Sequence, residues 1–181
     1  MTRHVAFLRG LNVGGHRVKM DRLRSLFTAL GFTDVATFIA SGNVIFSTAA
    51  DDLPALEGKI AAQLRDALGY DVDTFIRTME TVADVASSEP FPPKSKAAAL
   101  ANRHVFFLHE PASATVAAAL HDLATPTDAF VAIGTEVHWA TAGGVTESPV
   151  EAKHLANALG RAANTSRNAR TLRRLIAKFG E

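Results

Sequence analysis

Asp34-Val35-Ala36-Thr37-Phe38-Ile39-Ala40-Ser41-Gly42-Asn43-Val44-Ile45-Phe46-Ser47-Thr48 contains two segments of strand composition, 34–40 and 43–48. They are joined through Ser41-Gly42-Asn43, a short turn signal, so the stretch predicts a β-hairpin. Upstream, residues 4–11 are apolar apart from His4 and Arg9, the pattern of a central strand covered on both faces. Between strand and hairpin, Met20, Leu23, Leu26, Phe27 and Leu30 recur at helical spacing and Gly31 closes the run. Downstream, Leu53, Leu56, Ile60, Leu64 and Leu68 form a helical stripe. Pro54 sits in its first turn, where proline is tolerated, and Gly69 ends it. Residues 72–78 supply a further strand. The order β-α-β-β-α-β is the split arrangement of ferredoxin-like folds. The fold class is therefore α+β.

A short helix fits residues 80–87, and Ser87-Ser88-Glu89-Pro90-Phe91-Pro92-Pro93-Lys94-Ser95-Lys96 is the strongest linker signal in the chain. Beyond it the pattern partly repeats. Strands are expected at 104–109, 128–133 and 136–140, and helices at 113–123 and 150–159. The similar order suggests two ferredoxin-like subdomains in tandem, residues 1–88 and 97–181. The end departs from the repeat. Leu172, Leu175, Ile176 and Phe179 mark a terminal helix over 168–179, where a repeat needs a strand. Only Ala162 to Ser166 could supply one, so the second subdomain reads as incomplete or modified.

The 181 residues are 48% hydrophobic with a formal net charge of +1, which excludes a disordered chain. The absence of cysteine removes disulfides, thiolate metal sites and cysteine nucleophiles, and fits a reducing compartment. No apolar run approaches the roughly 18–20 residues that span a bilayer, and Arg9 interrupts the short apolar start. A cytoplasmic protein with no membrane partner is expected. The charge is unevenly placed. Residues 1–24 carry six Arg/Lys against Asp21, and residues 150–181 carry seven against Glu151 and Glu181. The middle is acidic. Basic ends that met in space would form a patch suited to nucleic acid.

Three constellations are candidates for chemistry. The first is Arg9-Gly10-Leu11-Asn12-Val13-Gly14-Gly15, followed by Arg17 and Lys19. Glycines at a strand exit let main-chain N–H groups approach an anion, and the basic residues neutralise it. The spacing is neither a nucleotide-hydrolase phosphate loop nor a dinucleotide fingerprint. The helix is expected to begin near Met20, several residues after the last glycine, so its dipole is not expected to point at the loop. The second is Ser41-Gly42-Asn43. In the split topology the first two strands run parallel, which puts this turn and the glycine loop on one rim of the sheet. The third is Asn164-Thr165-Ser166-Arg167-Asn168, read as the opening of the terminal helix, with Thr165 or Ser166 as cap and Arg167 and Asn168 in the first turn. Arginine is disfavoured by the dipole at a helix start, which makes Arg167 a candidate ligand group.

Other templates fail. The seven histidines show no metal spacing, no Gly-x-Ser-x-Gly elbow is present, and the carboxylates are scattered. Among the histidines, His16 alone falls in a candidate site. Phe7, Phe38, Phe46 and Phe75 lie on strands, but the ribonucleoprotein signature is missing, so they read as core.

Leu8-Arg9-Gly10-Leu11-Asn12-Val13-Gly14-Gly15, then Val18-Lys19-Met20 and Leu23, resembles the opening of the bacterial family called domain of unknown function 1697. Gly31-Phe32-Thr33-Asp34-Val35 leading to Ser41-Gly42-Asn43-Val44 matches its next block. Pro90-Phe91 and Thr165-x-Arg167-Asn168, followed by Thr171 and Leu175, match the later ones. The family usually has an aromatic after the Arg-Asn pair, where this chain has Ala169. The resemblance implies two ferredoxin-like subdomains and implies no activity. No cofactor or oligomeric state is indicated. The expected function is binding of a phosphate-bearing small molecule or nucleotide at a rim of Arg9, Gly10, Asn12, Gly14, Gly15, Lys19, Ser41, Asn43, Arg167 and Asn168. The alternatives are nucleic-acid binding through the basic ends, or a protein-interaction or oligomer scaffold.

Overall fold

A computed structural model describes residues 1–40, 42–160 and 163–180. It divides into two compact units, Met1–Val85 with Leu175–Glu181, and Ala86–Arg174.

In the first unit, β1 (Thr2–Arg9), α1 (Met20–Ala29), β2 (Thr33–Thr37), β3 (Asn43–Thr48), α2 (Leu53–Leu68) and β4 (Asp73–Thr78) follow in chain order, and α3 (Met79–Ser87) begins directly after β4. The sheet order is β2-β3-β1-β4, with every neighbouring pair antiparallel. This is the ferredoxin-like order that the hairpin predicted. Alternate residues explain the near-continuous burial of β1. Ala6 and Leu8 pack with Val44, Phe46 and Ile76 against Leu23, Leu26 and Phe27 of α1 and Leu56, Ile60 and Leu64 of α2. Val5, Phe7, Ile45 and Phe75 alternate with them and are also buried. Asp52 caps α2 by accepting from Ala55 N at 3.0 Å, and Gly69 ends it in the left-handed region. The last residues of the chain belong to this unit. Arg3 donates to Phe179 O at 2.8 Å, and Phe38 meets the Phe179 ring edge-on at 6.1 Å.

The second unit contains β5 (Asn102–Leu108), α4 (Ala114–Asp122), β6 (Asp128–Ile133), β7 (Glu136–Thr141), a 3-10 turn at Val145–Glu147, α5 (Ala152–Ala158) and β8 (Asn164–Asn168). α6 (Ala169–Phe179) follows and crosses from one unit's membership to the other's at Leu175. The sheet order β6-β7-β5-β8 repeats that of the first unit. Phe106, Leu108, Phe130, Val137 and Trp139 pack with Leu120, Ala158 and Leu159. The strand that only 162–166 could supply is present as β8, running on to Asn168, with Ala162 outside the described residues, and the modification is in the second helix, shortened to the seven residues of α5. Residues 88–101 form no helix or strand, yet Phe91 is buried beneath the Arg103 guanidinium, which also donates to Ala97 O and Ala98 O.

The duplication is written in the central strands. Arg3-His4-Val5-Ala6-Phe7-Leu8 and Arg103-His104-Val105-Phe106-Phe107-Leu108 differ at one position. His4 pairs with Phe46 on β3 and Thr78 on β4; His104 pairs with Trp139 on β7 and Asn168 on β8. Burial lowers the pKa of both histidines, so the neutral ring is the stable form inside each sheet.

Candidate functional site

The glycine loop and the hairpin turn share one rim of the first sheet, as the parallel course of β1 and β2 requires. The contact is close: Leu8 N donates to Gly42 O at 2.8 Å. Gly42 has φ +73°, and a Cβ there would lie 3.1 Å from Leu8 Cβ and 3.2 Å from Leu8 O. Only glycine meets both the left-handed backbone and the approach to β1. Ser41 lies outside the described residues. Asn43 is buried, and its Nδ2 donates to Phe38 O at 3.0 Å, while Phe38 N donates to Asn43 O. It closes the hairpin from within.

Asn12 binds loop to turn. Its Nδ2 donates to Ala40 O at 3.3 Å and its Oδ1 accepts from Val18 N at 3.0 Å. Gly14 and Gly15, at φ +61° and +87°, reverse the chain before His16, whose N donates to Val13 O. The loop is pinned from below by Tyr70. Its hydroxyl donates to Leu11 O at 2.8 Å, and its ring stacks on His16 with centroids 3.9 Å apart. Partial burial raises the Tyr70 pKa, so the hydroxyl keeps the proton that it donates. Arg9 and Gly10 stand at the strand exit. Arg9 reaches Asp73 at 3.7 Å, with both side chains half-exposed.

Between loop and turn lies a cleft of about 580 Å³, lined by Asn12, Gly15, His16, Arg17, Val18, Lys19, Met20 and Ala40. Lys19 is also the N-cap of α1 and provides no side-chain cap. The first helical bond is Leu23 N to Lys19 O, so the N–H groups of Met20, Asp21 and Arg22 are open among the described residues. The helix start is several residues beyond Gly15, as expected, but both line the same cleft. Arg17 and Lys19 are exposed and form no ion pair among the described residues, and no carboxylate lines the cleft. A larger hollow of about 650 Å³ beside α1 and β2 differs in this respect. Its Arg24 is tied to Asp21 and donates to Thr37 Oγ1.

Arg167 and Asn168 belong to the second unit and are strand residues. The reading of 164–168 as a helix opening is corrected: Asn168 caps α6 through Arg170 N at 2.8 Å, and Thr165 lies within β8. By register Asn168 faces His104, whereas Asn164 faces Leu108. The pair therefore lies at the opposite end of its sheet from the loop that follows β5. Arg167 is buried. Its Nη1 donates to Thr165 Oγ1 at 2.8 Å and Ser166 O at 2.7 Å, and burial lowers its pKa to about 10, leaving it charged at neutral pH. Its counterpart in the repeat is Arg77, which pairs with Val5 as Arg167 pairs with Val105. Arg77 is buried and donates to Ile76 O at 2.8 Å, and Glu57 Oε1 accepts from Ile76 N at 2.7 Å. Sequence reasoning missed these paired roles: the two arginines satisfy main-chain groups on the outer edges of β4 and β8.

The second unit also holds Asp128, fully buried, which accepts from Trp139 Nε1, Ser148 Oγ, Thr125 Oγ1 and Thr127 Oγ1 at 2.8–3.1 Å. Burial alone would raise its pKa; the hydrogen bonds from Ser148, Thr127, Trp139 and Thr125 outweigh it and hold the carboxyl below its ordinary value. Every acceptor position is engaged by structural donors. Among the described residues no group of His, Asp and Glu is arranged to hold a metal ion, and no helix is long and apolar enough to cross a membrane.

The family model described as "Protein of unknown function (DUF1697)" matches residues 1–138, and the chain belongs to that family. The conserved bacterial protein SP0830 from Streptococcus pneumoniae has a similar structure, with a TM-score of 0.73 and 21% identity over 100% of this chain and 99% of that one. At this identity the likeness is one of fold. Comparison with curated proteins finds no match.

Proposed function

We propose that this family member binds a phosphate-bearing small molecule or nucleotide in the cleft between the β1–α1 loop and the β2–β3 turn. The observation that carries this reading is the cleft's charge. Arg17, Lys19 and the start of α1 at Met20 meet there, no carboxylate is among the described residues that line it, and Asp21 in the first turn of α1 is tied to Arg24. A helix start favours an anion by about 0.3–1 kcal/mol, and hydrogen bonds to charged groups contribute about 1.5–3 kcal/mol each. Association costs at least about 4 kcal/mol, so inorganic phosphate alone binds weakly, at roughly millimolar Kd. Val18 and Met20 offer apolar surface to the rest of a larger ligand. Arg9 supports the rim through Asp73, and Asn12, Gly14, Gly15, Gly42 and Asn43 shape it. Arg167 and Asn168 serve the second sheet and are not included.

The reading is one of binding. His16 is stacked on Tyr70, and among the described residues that line the cleft there is no carboxylate to act as a base, so no reaction is assigned. Phe7, Phe46 and Phe75 are fully buried and offer no platform for base stacking, which weighs against recognition of RNA on this sheet. Calorimetric titration with phosphate, pyrophosphate and nucleoside mono-, di- and triphosphates at constant ionic strength tests the proposal. Affinity is expected to rise from phosphate to the larger ligands and to fall roughly tenfold in Lys19→Gln and Arg17→Gln. No binding by any of these, or binding that both variants leave intact, refutes it.

A further inference from the structure

We propose that β6 is a self-pairing edge through which two copies of this chain join their second-unit sheets. Each sheet has two edges, and three of the four edge strands are guarded. β2 shifts register between Thr33 and Ala36, and Asp34 within that break has φ +51°. On β4, Ile76 N and O are engaged by Glu57 and Arg77, and on β8 Ser166 O is engaged by Arg167. Bulges and inward-facing charges of this kind block edge-to-edge pairing.

β6 has neither device between Ala129 and Ile133. Its register with β7 is unbroken from Asp128↔Thr141 to Ile133↔Glu136. Ala142 N donates to Thr127 O at 2.9 Å, which fixes the alternation. Residues 129, 131 and 133 direct their main-chain groups at β7, and Asp128, Phe130 and Ala132 direct theirs outward. Thr125 takes those of Asp128, through Thr125 N to Asp128 O at 2.9 Å and Asp128 N to Thr125 O at 3.4 Å. The N–H and C=O groups of Phe130 and Ala132 have no partner among the described residues.

These groups are spaced for a second β6 running antiparallel. A two-fold axis at Val131 sets Phe130 opposite Ala132 of the second copy, and the reverse, as two hydrogen-bonded pairs. The same register places Val131 against its equivalent and Ala129 against Ile133, whose side chain is otherwise 50% exposed. From Ala129 to Ile133 there is no charge, so the two-fold brings no like charges together. A second copy fits because donors, acceptors and apolar side chains are all self-complementary in this one register.

Sedimentation over a concentration series, with amide hydrogen exchange, tests the inference on the full chain. The expected result is a concentration-dependent dimer in which the Phe130 and Ala132 amides become protected. Val131→Lys should weaken it at least roughly tenfold by opposing two charges at the axis, and so should Ile133→Lys, at an exposed position where folding is preserved. A protein that is monomeric throughout overturns the inference. So does a dimer that Ile133→Lys leaves unchanged, or one whose Phe130 and Ala132 amides exchange as in the dilute protein.

Discussion

Replacing Gly42 by alanine strikes the contact that joins the two halves of the candidate rim. The cost has two parts. Holding alanine at φ +73° costs about 1–2 kcal/mol. The added Cβ then meets Leu8 Cβ at 3.1 Å and Leu8 O at 3.2 Å, atoms of a central strand that cannot swing aside. Relief means moving the turn away from Leu8, at the expense of the 2.8 Å bond from Leu8 N to Gly42 O, for about another 1–2 kcal/mol. Gly69→Ala is the internal control. Gly69 has φ +82°, but a Cβ there meets nothing within 4 Å, so only the conformational cost of about 1–2 kcal/mol applies. Urea denaturation of both variants should show the larger fall in midpoint for Gly42→Ala at unchanged slope. Equal losses would mean that the turn does not depend on close approach to β1, and the rim as described would be wrong.

Arg77→Met should destabilise the first unit by about 2–4 kcal/mol in urea, because Ile76 O loses its donor and Glu57, 4.0 Å away and 12% exposed, loses its counter-charge. Arg167→Met should destabilise the second unit while leaving phosphate affinity unchanged; a loss of affinity without a loss of stability would restore Arg167 as a ligand group. Asp128 has a depressed folded pKa, so its contribution is fully present above the ordinary carboxylate value and is lost as pH falls below that value toward the folded pKa. Asp128→Asn should therefore flatten the acid limb of a stability-against-pH curve; an unchanged limb would show that Asp128 is not linked to it.

Much of this architecture was legible because the first unit is punctuated. Gly31 and Gly69 close α1 and α2, and leucines at helical spacing mark both helices, whereas the strand expected over 4–11 ends at Arg9, because Gly10 turns the chain at φ +82°. The shared rim was legible too, since it follows from β1 and β2 running parallel. β8 was harder for a physical reason. Asn164-Thr165-Ser166-Arg167-Asn168 buries Thr165 and Arg167 at period two, yet it has no apolar side chain and passes into α6 without a turn residue. It therefore read as part of the helix, and Arg167 took on a helix-start problem that it does not have. Its real role required knowing that β8 is an edge. The match between residues 3–8 and 103–108, offset by one hundred positions, was the signal that could have supplied β8 by analogy with β4. The cleft itself depends on Asn12 reaching Ala40 and on the missing cap of α1, and neither is written in spacing.

The most direct test is a phosphate titration followed by amide NMR on the full chain. Gly15, Lys19, Met20 and Asp21 should shift together with one dissociation constant, and Lys19→Gln should weaken all four. Shifts confined to the basic face of α6, or none at these four amides, would contradict binding at this cleft.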